Sequence, residues 1–495
     1  MDAVACDDGR IIAAGTARAV RRSTATGADR VDLGGRLAVP GLTDSHVHLT
    51  ELARSFASLD LTECRSIGAI GRRVRARSRS QPRGPIFGAG WDQERLRERR
   101  YPSTRDLERW APDRPVVLHR VCRHAAVVSD SVLGELGVDG DTPDPPGGRI
   151  GRDPVGRPNG LLFDNALRGL RTWEERAFAR TRLGLEALLD RAASYGLTTL
   201  APMSASPTEV ESLDRLARRR RLPVRLAFYL RADARREFVG LRGPTPSGDT
   251  RLVGLKVISD GSFGSRTAWL RAPYHDRPTE SGFPLLDPAE LTNVAEDAER
   301  WGAALAVHAI GDRAILAAMS VLRRTRPTIR PRIEHASLTP PDVIARLDEL
   351  RPHLVVQPAF VSSDTWIVER LGPRRARWSY AFRTLLAHGH TLAGSSDAPV
   401  ETLDPWSGIA AALAPRATRA PESLDAAAAL RLYGENAGPV VGWPGLGTLE
   451  VGGVADVVEC AGTDLRAVAA AGRSRVRRVW RDGRQVRGRR AAGER

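Results

Sequence analysis

A chain of 495 residues is longer than one small hydrophobic core requires, which leaves a large α/β barrel with attachments or two to three domains. A hydrophobic fraction of 42% with 27% charged residues is that of a soluble globular protein, and no run of about 18 apolar residues is present, against a transmembrane helix. The formal net charge of +16 invites a nucleic-acid partner, but aromatic residues are only 5% and arginines are spread along the whole chain, so no specific nucleic acid is expected.

The N-terminal MDAVACDDGR is acidic where a secretory signal is basic and then apolar. Cys6, Cys64, Cys122 and Cys460 lie far apart with no CxxC pair, against both a disulfide framework and a thiolate zinc site; a reducing cytoplasm is the expected compartment. DGRIIAAG (8–15) and VDLGGRLAVPG (31–41) read as short strands with glycine turns, and residues 447–486 repeat that pattern, ending in a hairpin turned at Asp482-Gly483. A small β-sandwich built from residues 1–38 and 440–495 is therefore expected to flank a central unit over 39–439. Ten arginines fall in residues 472–495, for which a solvated basic surface is expected.

From residue 39 onward, short apolar runs alternate with helix-like segments. The strand candidates are LAVPGLTDSHVH (37–48), YGLTTLAPM (195–203), LPVRLAFYL (222–230), RLVGLKVISD (251–260), AALAVHAIGD (303–312), RPRIEHAS (330–337), HLVVQPAF (353–360) and HTLAGSSDAP (390–399). Eight β–α alternations with near-continuous apolar strands predict a (β/α)8 barrel. The interval between the first two strands is too long for one crossover, and residues 60–170 are expected to form an inserted subdomain over one end of the barrel.

Metal-competent side chains recur at strand ends. His46 and His48 form an HxH at the end of the first strand, and strand alternation points both imidazoles to one face. His308 ends the fifth strand, His335 the sixth and Asp397 the eighth, so all five converge on the mouth where barrel active sites sit. His119, His275, His353, His388 and His390 fall elsewhere and are expected to be structural. Lys256, which ends the fourth strand, is the only lysine among the 75 basic residues. A desolvated lysine has a depressed pKa, and its amine can add CO2 to give an anionic carbamate; arginine stays protonated and cannot.

The segments VPGLTDSHVHL, GLKVISDGSFGSRTA, AVHAIGDRA, RIEHAS, GSSDAPVETLDPW and GTLEVGGVADVV together resemble the amidohydrolase superfamily, and more closely its YtcJ-like branch, which includes N-substituted formamide deformylases. The resemblance covers nearly the whole chain. It implies metal ligation by His46, His48, carboxylated Lys256, His308, His335 and Asp397, with one or two divalent ions, zinc foremost. In the two-metal form His46, His48 and Asp397 would hold one ion, His308 and His335 the other, and the Lys256 carbamate would bridge them. The segments GAGWDQERL and RVCRHAAVVSDSVL are similar to that branch's insert, which usually reads Asp-Gly-His where this chain has Cys122-Arg123-His124.

The implied activity is hydrolysis of a non-peptide C–N bond in an amide, formamide or cyclic amide by metal-activated water, with Asp397 as general base and then acid. Trp91, Asp92 and His124 are candidate substrate contacts from the insert. Asp260 and Arg266 fit either support of substrate and ligands or a loop salt bridge. A metal-dependent isomerase or lyase on the same barrel, and a basic nucleic-acid-binding protein, are the competing readings. The expected partner is a small-molecule substrate, with no membrane and with a homodimer left open.

Overall fold

Apolar runs without a polar face make stable strands only where both sides of the sheet are covered. In the computed structural model, which describes residues 2–24, 27–178, 184–241, 248–414 and 422–488, eight such runs form one parallel sheet. Its strands are β1 (Leu42–Val47), β2 (Leu197–Pro202), β3 (Arg225–Arg231), β4 (Thr250–Ile258), β5 (Ala304–Ala309), β6 (Arg332–His335), β7 (His353–Val356) and β8 (Leu392–Gly394). They pair in chain order, from β1 on β2 through to β7 on β8. The loop after β8 returns to β1: Val47 bridges Ala398, Asp397 N donates to His46 O at 2.9 Å and His48 N to Ala398 O at 2.9 Å. The result is a nearly closed barrel of the (β/α)8 type.

The helices between strands carry the expected stripe. In Asp312–Thr325, Ile315, Ala318, Met319 and Leu322 recur at helical spacing, are all buried, and belong to the main core with Leu305, Val307 and Ile333 of the barrel. Helix Pro288–Arg300 starts at Asp287, whose side chain accepts from Glu290 N at 2.8 Å, with proline at the first helical position.

Between β1 and β2 the chain builds a second sheet of six strands. Its spatial order is Leu59–Asp60, Ile86–Trp91, Val116–Arg120, Ala125–Val128, Pro158–Asp164 and Gly148–Arg152. Alternation divides its side chains between two small cores: Val116 and Leu118 enter one with Trp91 and Trp110, while Val117 enters the other with Val128 and Trp173.

The chain ends meet in a four-stranded sheet that joins Ala38–Pro40 to Val457–Cys460, Val476–Arg481 and Arg484–Arg487. Only residues 38–40 of the segment expected as a strand over 31–41 are extended before β1. A hairpin of Ala3–Asp7 and Arg10–Gly15 lies alongside, where Ile11 packs with Leu449, Ala455 and Val457. The turn at Asp482-Gly483 has φ of 51° and 71°, the paired left-handed conformation that a two-residue hairpin needs.

This sheet changes the reading of the basic tail. Arg478 and Arg481 are buried, the first paired with Glu459 and the second with Asp249. A burial site tolerates a guanidinium only when it is paired, so these two arginines belong to the fold rather than to a solvated surface. Residues 489–495 lie outside the described residues.

Candidate metal centre

The ends of β1, β5, β6 and the β8 loop bring His46, His48, His308, His335 and Asp397 into one group at the barrel mouth. Asp397 Oδ1 lies 3.3 Å from His46 Nε2 and 3.2 Å from His48 Nε2, and ligand atoms of these three residues fall within 4.8 Å of one another. The His335 ring centroid is 5.2 Å from that of His46 and 4.4 Å from that of His308. Two members of the group sit in left-handed backbone, His335 at φ 72° and Asp397 at φ 55°. Such strain persists where surrounding structure over-determines it, and it concentrates at functional sites.

Each of the four imidazoles has one nitrogen committed to an acceptor. His46 Nδ1 donates to Glu334 Oε2 at 2.6 Å, His48 Nδ1 to Met203 O at 3.1 Å, His335 Nδ1 to Gln357 Oε1 at 2.7 Å and His308 Nε2 to Gly261 O at 3.1 Å. A ring so fixed presents its other nitrogen as a lone pair, which is the arrangement that orients histidine toward a metal. Glu334 is itself held by Arg332, Nε to Oε1 at 2.8 Å and Nη2 to Oε2 at 3.0 Å, and Arg332 also donates to Ser45 O at 2.7 Å. Gln357 is anchored in turn by donating to Ser395 Oγ at 2.9 Å.

The protonation states suit ligation. Burial, reinforced by Lys256, pushes His46 and His308 well below the ordinary imidazole value, and burial beside His308 takes His335 down to about 3. Burial works against an ionised Asp397, yet His46 and His48 overcome it and hold the carboxyl well below its usual range. Lys256, only 3% exposed, is brought by burial from 10.5 to about 8, although Glu334 and Asp397 pull the other way. Burial lowers His48, but the Asp397 carboxylate beside it outweighs burial and raises it above the ordinary imidazole value. The donor set is thus four imidazoles, three of them held neutral, with one carboxylate and an amine of lowered pKa, which fits one or two divalent cations.

A cavity opens over this group, lined on the barrel side by His308, His335, Phe360 and Asp397 and on the insert side by Asp92, Arg120, Cys122 and His124. The insert therefore walls the mouth. Of the candidate substrate contacts, Asp92 and His124 line the cavity. Trp91 does not: its side chain is fully buried in the insert core, with its indole N–H donating to Leu118 O at 2.8 Å. It ends a strand whose alternate residues face inward, so Asp92 rather than Trp91 meets the barrel. Asp260 is also fully buried and accepts from Ile310 N at 3.0 Å, Gly311 N at 2.8 Å and Trp269 N at 2.9 Å, tying the loops after β4 and β5 together beside His308. Arg266 pairs with Asp276 at 2.6 Å, the loop salt bridge among the readings open for it.

Several residues of the site were not anticipated from sequence: Asp44, Arg332, Glu334, Gln357, Arg120 and Asp164. One signal was available for two of them. In RIEH, Arg332 and Glu334 are two apart on a strand, so they share a face as an ion pair would.

Residues 29–487 match the model of the amidohydrolase family. The chain belongs to that family. It is 31% identical over 437 residues to the putative amidohydrolase YtcJ of Bacillus subtilis (strain 168), covering 83% of this chain and 81% of that protein. It is 27% identical over 500 residues to the N-substituted formamide deformylase of Arthrobacter pascens, covering 94% and 92%. Among solved structures, an uncharacterized metal-dependent hydrolase from Pyrococcus horikoshii OT3 superposes with a TM-score of 0.77 at 29% identity, covering 95% of each chain. Among the described residues no helix of this amidohydrolase is long and apolar enough to cross a membrane.

Proposed function

We propose that the chain is a metal-dependent hydrolase of a non-peptide C–N bond, in an amide, formamide or cyclic amide. The observation that carries this reading is the gathering of four histidines around an ionised Asp397, each with one ring nitrogen committed to an acceptor. The similarity to an N-substituted formamide deformylase supports the bond type. His46, His48 and Asp397 would hold one divalent ion and His308 and His335 a second. Lys256 would stand between them as a carbamate, formed when its free amine adds CO2 and loses a proton. Divalent ions, zinc foremost, would supply Lewis acidity that lowers the pKa of water toward about 7 and polarises a carbonyl.

The chain's own residues then perform the proton transfers. Asp397, ionised and within 3.3 Å of His46 Nε2 and 3.2 Å of His48 Nε2, accepts a proton from the attacking water at its carboxylate and returns it to the leaving nitrogen. Glu334 keeps the His46 ring from rotating away. Asp92 and His124 face the substrate from the insert, and Asp260 and Arg266 brace the loop that follows the strand of Lys256.

The test is metal content with turnover of a panel of N-formyl and N-acyl amines, assayed with zinc and bicarbonate. Oxygen from labelled water should appear in the acid product. A protein without stoichiometric metal whose hydrolysis survived Lys256→Ala would defeat the proposal, and product without labelled oxygen would point instead to an isomerase or lyase.

A further inference from the structure

Asp164 is a residue in an unfavourable conformation for which the barrel offers no reason. Its φ of 50° and ψ of −113° lie outside the regions an L-residue adopts freely, and it is 97% buried, at 3% exposure. One carboxylate oxygen accepts from His124 Nδ1 at 2.7 Å; the other is buried without a hydrogen-bond partner among the described residues. The backbone repeats the pairing, since Asp164 N donates to His124 O at 3.0 Å. His124 immediately precedes the strand Ala125–Val128 and Asp164 ends its partner Pro158–Asp164, so the insert's sheet fixes their spacing. On the far side, the loop after β4 closes on the same carboxylate: a Cβ at Gly261 would stand 2.8 Å from Asp164 Oδ1 and 1.9 Å from Thr267 Oγ1, so only glycine lets the loop pass.

His124 is thereby locked where it is useful. Its ring centroid is 5.2 Å from that of His308, it lines the cavity with His308, His335 and Asp397, and its Nε2 has no partner among the described residues. The preceding Arg123 takes φ 61°, a conformation that favours glycine, and the turn it makes delivers both Cys122 and His124 to the cavity wall. A strained, buried acid that does nothing but hold one imidazole, with that imidazole's other nitrogen bare in the cavity, is a pre-organised contact for a ligand.

We infer that His124 Nε2 contacts the polar group of the substrate's scissile bond, and that Asp164 is the positioning residue that fixes it there. This rests on the hydrolase reading and deepens it: recognition comes from the insert, and the substrate must present an N–H or C=O within reach of His124.

The holoenzyme and its His124→Ala, Asp164→Asn and doubly substituted forms would be compared in bound metal, melting temperature, kcat, KM and Kd for N-methylurea, a small amide-like probe, by calorimetry. Expected for His124→Ala is a Kd raised about tenfold, with metal and melting temperature unchanged. Asp164→Asn should show part of that loss, and none beyond it once His124 is absent. A Kd within twofold of wild type in His124→Ala overturns the inference. So does loss of metal on that substitution, an Asp164→Asn effect that persists without His124, or a wild type that does not bind the probe. A wild type that hydrolyses no amide defeats the hydrolase reading alone, because the Kd comparison still decides the His124–Asp164 assignment.

Discussion

At the scale of single residues, the site trades stability for chemistry, and acid exposes the trade. The unfolded chain takes up a proton on His335 as pH falls past about 6.5, whereas the folded protein refuses it until about 3. The folded form binds fewer protons through that window, so metal-free protein loses stability as pH falls. For His335 alone the loss is about 2 kcal/mol at pH ~5, with His46 and His308 adding in the same direction. Denaturant melts of metal-free protein should therefore show the wild type losing stability relative to His335→Asn as pH falls from about 6.5 to about 5, and a gap that does not change with pH would sink the assignment. Glu334 tests the orientation of His46. Glu334→Gln removes the charge facing Arg332 and weakens the hold on Nδ1, and metal affinity measured against a chelator should fall by roughly 10- to 100-fold.

The residues legible in sequence and those hidden from it differ for a physical reason. His46, His48, Lys256, His308, His335 and Asp397 stand out as candidates because residues of a barrel's mouth sit at or near strand ends, and strand ends can be read from apolar runs. Gln357 and Asp164 were not legible: what each does depends on one partner, His335 or His124, that is remote in sequence, and strand pattern says nothing about such pairs. Trp91 went the other way. Its place beside Asp92 suggested a pocket wall, but a large indole with a backbone acceptor in reach gains more from core burial.

At the scale of elements, the insert is held over the mouth by ions rather than by a shared apolar core. Arg370, fully buried, pairs with Glu94 from the insert and with Asp276 from the loop after β4, and Asp276 also binds Arg266. Removing one member of a buried ionic network leaves the others uncompensated, a loss of about 3–5 kcal/mol. Arg370→Ala should therefore loosen residues 90–100 selectively, seen as faster amide exchange there, while β4 to β6 keep their protection. Equal acceleration across the barrel would show that the network is not local. The barrel itself was legible strand by strand, because a buried parallel sheet writes its strands as apolar blocks. How firmly the insert was seated could not be read, because it depends on which arginine meets which acid.

At the scale of the whole molecule, the two chain ends are one structure. Val479 is fully buried, Arg481 reaches Asp249 at the foot of β4, and Arg225 pairs with both Asp456 and Asp482. Truncation after Gly472 should accordingly yield aggregated or unfolded protein rather than a folded chain lacking only surface charge. Replacing the exposed Arg484 and Arg487 by glutamate should leave the melting temperature within about 1 °C, since isolated surface charges contribute little. That second variant is the one with which to measure any salt-dependent affinity for nucleic acid.

The hydrogen bonds that close the barrel have a consequence in time. Asp44 accepts from Ser396 N across 352 residues of sequence, next to the bond from Asp397 to His46. During synthesis the first pair of histidines leaves the ribosome long before the carboxylate that completes their set. A cation met early would find two ligands of the three, and would exchange freely. Only when the eighth strand reaches the first do the last bond of the barrel and the third ligand arrive together. Retention of metal at this candidate centre would therefore report that the two ends of the barrel sheet have met.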